Sequence, residues 1–379
     1  MVRRVRYFAE SILSRQSEIL RFAQNDSEGL RMTAKGSGRQ PRAQIDIGAK
    51  VFQQPGKRCP EVVLSEFVTQ VARRWNVVTM RILLTGSSGL IGQALIPFLT
   101  ADGHQVARLV RSLGPAGASQ ILWNPSAGTI PRDSLEGFDA VVHLAGETVA
   151  GRWTARKKAR ILESRAQGTR LLCESLAQLQ HPPGVLLSAS ASGFYGDRGD
   201  EILSEASPAG SLFLSEVATA WEVATESAAR RGIRVVNLRI GFVLSAAGGG
   251  LAAMLWPFKL GVGGRVGTGR QYLSWVSLDD VLGAVRHALG TDALRGPVNV
   301  VAPHPVTNLE FTKTLGSVLG RPTILPLPAF AARLAFGEMA DNLLLASTRL
   351  EPSRLLATGF RFRFPQLEAA LRHVLGRAG

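Results

Sequence analysis

Between residues 80 and 93 the chain reads MRILLTGSSGLIGQ. The short apolar run Ile82-Leu83-Leu84 closes at Thr85, and three glycines follow, Gly86, Gly89 and Gly92, with helix formers beyond them. This order predicts a strand, a tight turn and a helix. In a dinucleotide-binding turn of this spacing the first glycine permits the sharp turn and the second lets backbone N–H groups approach a pyrophosphate. The third lets the helix pack closely on the strand. The helix N-terminus, near Leu90, would hold the phosphate charge through its unpaired N–H groups and its dipole. The flanking strand and helix favour such a site over a purely structural turn.

Working outward, Leu90 to Ala101 reads as the helix, ended by Asp102-Gly103, and Gln105 to Val110 as a second strand. Arg111 stands nineteen residues past Gly92, at the end of that strand, where an NAD site usually carries an acidic residue on the adenosine ribose. A carboxylate there would repel a 2′-phosphate, whereas Arg111, helped by Arg108, would attract one. The cofactor expected is therefore NADP(H), with a solvated strand-end cation as the alternative for Arg111.

Further strands are expected at Ile121 to Trp123, Ala140 to Leu144, from Val185, at Arg234 to Ile240 and at Pro297 to Val301. Between and after them, Ala155 to Gln180, Leu212 to Arg231, Leu278 to Leu289 and Asn308 to Leu319 have helical spacing. Strands alternating with helices imply an α/β fold, a doubly wound parallel sheet of the Rossmann type. From Gly241 onward the pattern loosens into a smaller C-terminal lobe on the substrate side, with Trp275 and Tyr272 expected to pack its wall. The organisation expected is 80–300 for the nucleotide-binding domain and 301–379 for the C-terminal lobe.

Residues 1–79 lack a sustained period and hold 14 basic and 7 acidic side chains, nearly half of the formal net charge of +15. They read as a disordered extension, an organellar presequence or an upstream extension of a frame that starts at Met80, the last being favoured. The remaining positive charge is spread out, with no basic stripe interleaved with aromatics, so no nucleic-acid partner is expected. Cys59 and Cys173 match neither a disulfide framework nor a zinc spacing. No run of 18 apolar residues exists, so no membrane span is expected and a cytoplasmic setting fits. A homodimer is left open.

Within the fourth strand His143 reads as packing. After it, Ala145, Gly146 and Glu147 form a small loop at the strand's carboxyl end, where open α/β sheets bind ligands. Glu147 is a candidate polar contact there, or else a solvated carboxylate. The basic residues of the following helix (Arg156, Lys157, Lys158, Arg160, Arg165) read mostly as a solvated face.

TGSSGLIG, HLAG, SASASGFYGDRGDE and SWVSLDD together resemble the extended short-chain dehydrogenase/reductases of the nucleoside-sugar epimerase type. AGETVAGRWTARKKARILESR, WPFKLGVGGRVGTGRQYLSWVSLDD and the tail FGEMADNLLLASTRL…GFRFRFP are similar to an atypical epimerase subgroup with its own C-terminal domain. The resemblance spans Met80 to Leu375. It implies an NADP(H) cofactor and a small-molecule substrate that is undefined for most members. By position it implies that Gly86, Gly89, Leu90, Ile91 and Gly92 cradle the pyrophosphate and that Arg111 faces the 2′-phosphate. Leu144, Ala145 and Gly146 would line the adenosine and its ribose, and Arg165 would reach the cofactor from the long helix.

Short-chain dehydrogenases exchange the hydroxyl proton through a Tyr whose pKa is lowered by a Lys four residues on, with a Ser on the substrate oxygen. Here the Tyr position falls at Phe213 and the Lys position at Val217, neither of which moves a proton. The Ser position falls near Ala191, flanked by Ser190 and Ser192. The candidates for catalysis are then Tyr195, Glu147 and Ser190, with Asp197 behind them; a loop-anchoring role for Tyr195 and an ordinary strand serine at 190 are the alternatives. Two functions follow: an NADP(H)-dependent, epimerase-like oxidoreductase, or an inactive cofactor-sensing or partner-binding protein, in line with the cell-division-inhibitor label some of the subgroup carry.

Overall fold

The computed structural model describes residues 79–114 and 119–377; the readings offered for the N-terminal segment lie outside them. Seven strands, β1 (Arg81–Thr85), β2 (Gln105–Val110), β3 (Gln120–Leu122), β4 (Ala140–His143), β5 (Val185–Ala191), β6 (Arg234–Ile240) and β7 (Gly296–Val300), make one sheet. Their order is β3-β2-β1-β4-β5-β6-β7, and every pairing is parallel. The packing helices are α1 (Leu90–Ala101), α2 (Ala155–Ala177), α3 (Phe213–Val223), α4 (Gly249–Lys259), α5 (Leu278–Gly290), α6 (Asn308–Leu319) and α7 (Leu367–Val374).

Successive side chains of a strand point to opposite faces, so each apolar run feeds two cores. Ile82, Leu84, Val142, Leu187 and Val236 join Leu95 and Leu99 of α1 and Val281 and Val285 of α5 on one face. Their neighbours Leu83, Val141, Leu186 and Val235 join Leu172 and Leu176 of α2 on the other. This is the doubly wound Rossmann-type arrangement expected. The strand order reverses between β1 and β4, and the chain leaves them towards opposite sides, which opens a crevice outside their carboxyl ends.

A further core holds Leu251, Leu255, Phe258, Phe311, Leu315, Leu367 and Leu371, from α4, α6 and α7. Trp275 is fully buried in it and donates its Nε1–H to the His304 carbonyl at 3.0 Å, so it packs the lobe's interior. The lobe is tied to the sheet domain by Asp280, at the start of α5. Its carboxylate accepts the backbone N–H groups of Arg363 and Phe364 at 2.6 and 3.1 Å, joining SWVSLDD to the FRFRFP tail. Val77–Gly379 is one compact unit.

Several element edges differ from expectation; β4 ends at His143, and β7 is shifted one residue earlier, to Gly296–Val300. β3 runs one residue earlier than its apolar pattern suggested, because Arg108 pairs with Gln120. The helix expected to reach Gln180 ends at Ala177. The helical stretch 212–231 is two helices, since α3 stops at Val223 and a second begins at Glu226.

Candidate functional site

The three glycines stand at the crevice floor. Gly86 leaves β1 with φ +67°, and a Cβ there would lie 2.6 Å from the Leu144 carbonyl and 2.8 Å from the Ala145 nitrogen. The exit loop of β4 therefore crosses bare backbone. At Gly92 a Cβ would come 2.3 Å from the Gly86 oxygen and 2.8 Å from the Ser87 Cα, so the third glycine seats α1 on the turn itself rather than on the strand. Gly89 differs from both: its Cβ would meet only the Gly86 oxygen, at 3.3 Å. Helix α1 begins at Leu90 with no side-chain cap and no acidic residue in its first turn. The first-turn N–H groups of Leu90, Ile91 and Gly92 are those a helix leaves without intrahelical partners. A cradle that excludes two Cβ atoms, floored by an uncapped helix N-terminus, fits a diphosphate.

Thr85, fully buried at the end of β1, holds the two loops together. Its hydroxyl accepts from the N–H groups of Leu144 and Ala145, both at 3.1 Å, and lies 2.7 Å from His143 Nδ1. With both lone pairs used, its proton goes to Nδ1, which makes His143 the Nε2–H tautomer; that hydrogen faces Thr169 Oγ1 at 2.8 Å. Burial lowers the His143 pKa to about 4, so the ring is neutral and structural.

A cluster of cations surrounds the loop that leaves β4. The Arg165 guanidinium donates to the carbonyls of Glu147 (2.9 Å) and Ile161 (3.2 Å), with its Cζ 4.9 Å from the Trp221 ring centroid. A side chain at Gly146 would meet it at 3.2 Å, so the small residue after β4 makes room for Arg165. Burial lowers the Arg165 pKa to about 10, which leaves it charged at neutral pH. Arg111 is exposed beyond β2. Glu147 binds Lys157 at 2.8 Å and stands 3.7 Å from Arg160. The Lys157 hydrogen bond, followed by the charges of Lys157, Arg160 and Arg111, holds its carboxyl below the usual range. Glu147 is thus an ion-pair hub between Lys157 and Arg160.

The other catalytic candidates are held by internal partners. Tyr195 is fully buried, donates its hydroxyl to Asn299 Oδ1 at 2.7 Å and accepts from Arg239 at 2.9 Å. Burial pushes its pKa up, the opposite of what a proton-exchanging phenol needs. Ser190 is buried too and donates to Glu222 Oε1 at 2.7 Å, while Glu222 holds Arg239 through two bonds of 2.8 Å. Both residues belong to one internal network across β5, α3, β6 and β7. Asp197 accepts the N–H of Ser347 at 3.0 Å and so pins the GFYGDRGDE loop to the C-terminal tail.

Phe213 and Val217 lie in an apolar cluster with Trp153, Leu214 and Met339. Trp153 meets the Phe213 ring edge-on at 5.2 Å, and the Lys158 ammonium lies 4.4 Å from its centroid. Lys158 and Arg165 stand seven residues apart, which puts the two on one helix face. A recess of about 430 Å³, lined by Asp197, Leu212, Gln271, Arg333 and Asp341 among others, opens beside the start of α3.

The sheet and the crevice at its switch point define a Rossmann-type α/β protein with an anion cradle. The chain belongs to the NAD dependent epimerase/dehydratase family, whose model matches residues 82–301; residues 327–374 match a domain of unknown function, DUF1731. An epimerase family protein of Mycobacterium tuberculosis is 42% identical over 299 residues, 79% of this chain and 98% of the relative. The Homo sapiens epimerase family protein SDR39U1 is 36% identical over 300 residues, 78% and 100% of the two chains. The solved structure of human SDR39U1 (isoform 2) with NADPH superposes with a TM-score of 0.72 at 35% identity, covering 79% of this chain and all of that one. A nucleoside-diphosphate sugar epimerase structure from Corynebacterium glutamicum gives 0.67 at 36%, covering 83% and 63%.

Proposed function

We propose that the protein binds NADP(H) in the crevice and acts as an epimerase-like oxidoreductase on an unidentified small molecule. The observation that carries this reading is the cradle of Gly86, Gly89 and Gly92 under the uncapped start of α1, with Arg111 beyond β2 in place of a ribose-binding carboxylate. The human relative solved with NADPH supports it. When bound, the cofactor supplies or accepts hydride. The chain's own residues provide the rest: amide donors for the diphosphate, Arg111 for the 2′-phosphate, and Leu144, Ala145 and Gly146 as a wall for the adenosine.

Fluorescence titration of the purified protein tests this. NADPH binds, NADH binds more weakly, Gly89→Asp abolishes binding, and Arg111→Glu reverses the preference. Absence of NADPH binding by the wild-type protein overturns the reading.

Packing of Phe213 and Val217 in an apolar cluster favours a second reading, a cofactor-binding protein without turnover. NADPH oxidation with any carbonyl substrate, lost in Gly89→Asp, decides against it.

A further inference from the structure

The missing Tyr and Lys leave the reaction without a proton donor on α3, yet a cation stands beside the vacant positions. Lys158 and Arg165 are two turns apart on one face of α2, about 10 Å along its axis. Facing them, α3 presents Phe213, Val217 and Trp221 at four-residue spacing. Lys158 Nζ lies 4.4 Å from the Phe213 centroid and Arg165 Cζ 4.9 Å from that of Trp221, with buried Val217 between the two ring positions. One helix thus supplies a cation at each end of an apolar stripe on its neighbour.

The Lys158 ammonium is positioned from a third direction. Glu338, in the family-specific FGEMADN segment, takes two of its hydrogen bonds at 2.8 and 2.9 Å. An ammonium has three N–H groups, and the Phe213 face accepts none as a conventional hydrogen bond, so one remains for a ligand. The lysine side chain is 32% exposed, hence reachable from solvent. Among the described residues the other lysines are Lys157, held by Glu147, and Lys259 and Lys313, on α4 and α6 of the lobe.

Resting on the NADP(H) reading above, we propose that Lys158 takes over the proton donation of the absent pair: it stands beside the nicotinamide ribose, and its remaining N–H gives the proton to the substrate oxygen. In the reducing direction the carbonyl carbon accepts hydride from NADPH, the C=O electron pair moves to oxygen, oxygen takes the Lys158 proton, and water reprotonates the amine. Glu338 is the positioning residue that holds Lys158 over Phe213.

Periodate-treated NADP tests the location without turnover. Periodate cleaves vicinal diols, so it opens the nicotinamide ribose and spares the adenosine ribose, whose 2′-hydroxyl is phosphorylated. The dialdehyde condenses with an adjacent amine, and cyanoborohydride reduction fixes the adduct for peptide mass spectrometry. The expected adduct is on Lys158, is blocked by NADPH, is lost in Lys158→Arg, and is reduced in yield by Glu338→Gln. An adduct on Lys157 instead, or none on Lys158 in a protein that binds NADPH by titration, overturns this inference and leaves the cofactor reading intact. Failure of NADPH to bind removes both. For the proton, Lys158→Met is expected to retain NADPH binding, with at most a modest loss of affinity, while losing NADPH oxidation by phenanthrenequinone. Turnover that persists in this variant with an unchanged pH profile, or that the wild-type protein lacks, overturns the donor role.

Discussion

Each glycine of the turn answers to a different neighbour, and the three should fail differently when replaced. A methyl group at Gly92 would strike the Gly86 oxygen, so Gly92→Ala is expected to cost about 1–3 kcal/mol and to lose NADPH affinity as the turn shifts. At Gly89 the backbone is ordinary (φ −79°) and a Cβ would make one tight contact, 3.3 Å to the Gly86 oxygen, where at Gly92 it would overlap. Gly89→Ala should therefore stay within about 1 kcal/mol of wild type while still weakening NADPH binding. Urea midpoints beside fluorescence titrations separate the two effects, and equal stability losses would refute the assignment. His143 makes a second residue-scale prediction. Its pKa falls from 6.5 to about 4 on folding, so the unfolded chain binds the extra proton between those values. Stability is then full above about pH 6.5 and declines as pH falls toward 4, by up to about 3 kcal/mol. Comparing urea midpoints of wild type and His143→Gln across this range checks it: the variant's profile should be flatter.

Among the elements, α3 depends most on residues distant in the chain. Leu212 precedes it and offers no capping side chain, so Asn342 does so from 128 residues away, accepting the Leu214 N–H at 3.1 Å. Asn342→Ala is expected to cost about 1–2 kcal/mol by leaving that donor unpaired. On its other side α3 carries Glu222 into the network with Arg239, Tyr195, Ser190 and Asn299. Tyr195→Phe should lower stability by about 1–3 kcal/mol through the partners it strands, with NADPH affinity unchanged. A large affinity loss in that variant would return Tyr195 to the site.

Over the whole molecule, the lobe and the sheet domain are expected to unfold together. Asp280 binds two backbone N–H groups of the tail and accepts the Ser277 hydroxyl at 2.7 Å, so Asp280→Ala would strand three donors, the Ser277 hydroxyl buried and the two N–H groups half-buried. A destabilisation of about 3 kcal/mol or more is expected, with tryptophan fluorescence and far-UV circular dichroism still tracing one transition. Separate transitions in wild type would show the lobe to be independent.

What the chain's residues determined by themselves were features with a local period or a local steric demand. Ile82-Leu83-Leu84 and Arg234–Ile240 announce buried strands, and three spaced glycines announce the turn; the resemblance alone puts Phe213 and Val217 where a proton-moving pair is expected. Tertiary structure alone decided which polar side chains are internal. Tyr195 and Ser190 read as plausible acids or donors because nothing beside them in sequence shows Arg239 and Glu222 waiting across the fold. Lys158 read as a solvated cation because its partner, Glu338, lies 180 residues on. Periodicity records which face of an element is apolar; it carries no record of what another element brings to that face, and that pairing fixes whether a charge is a surface feature or part of a site.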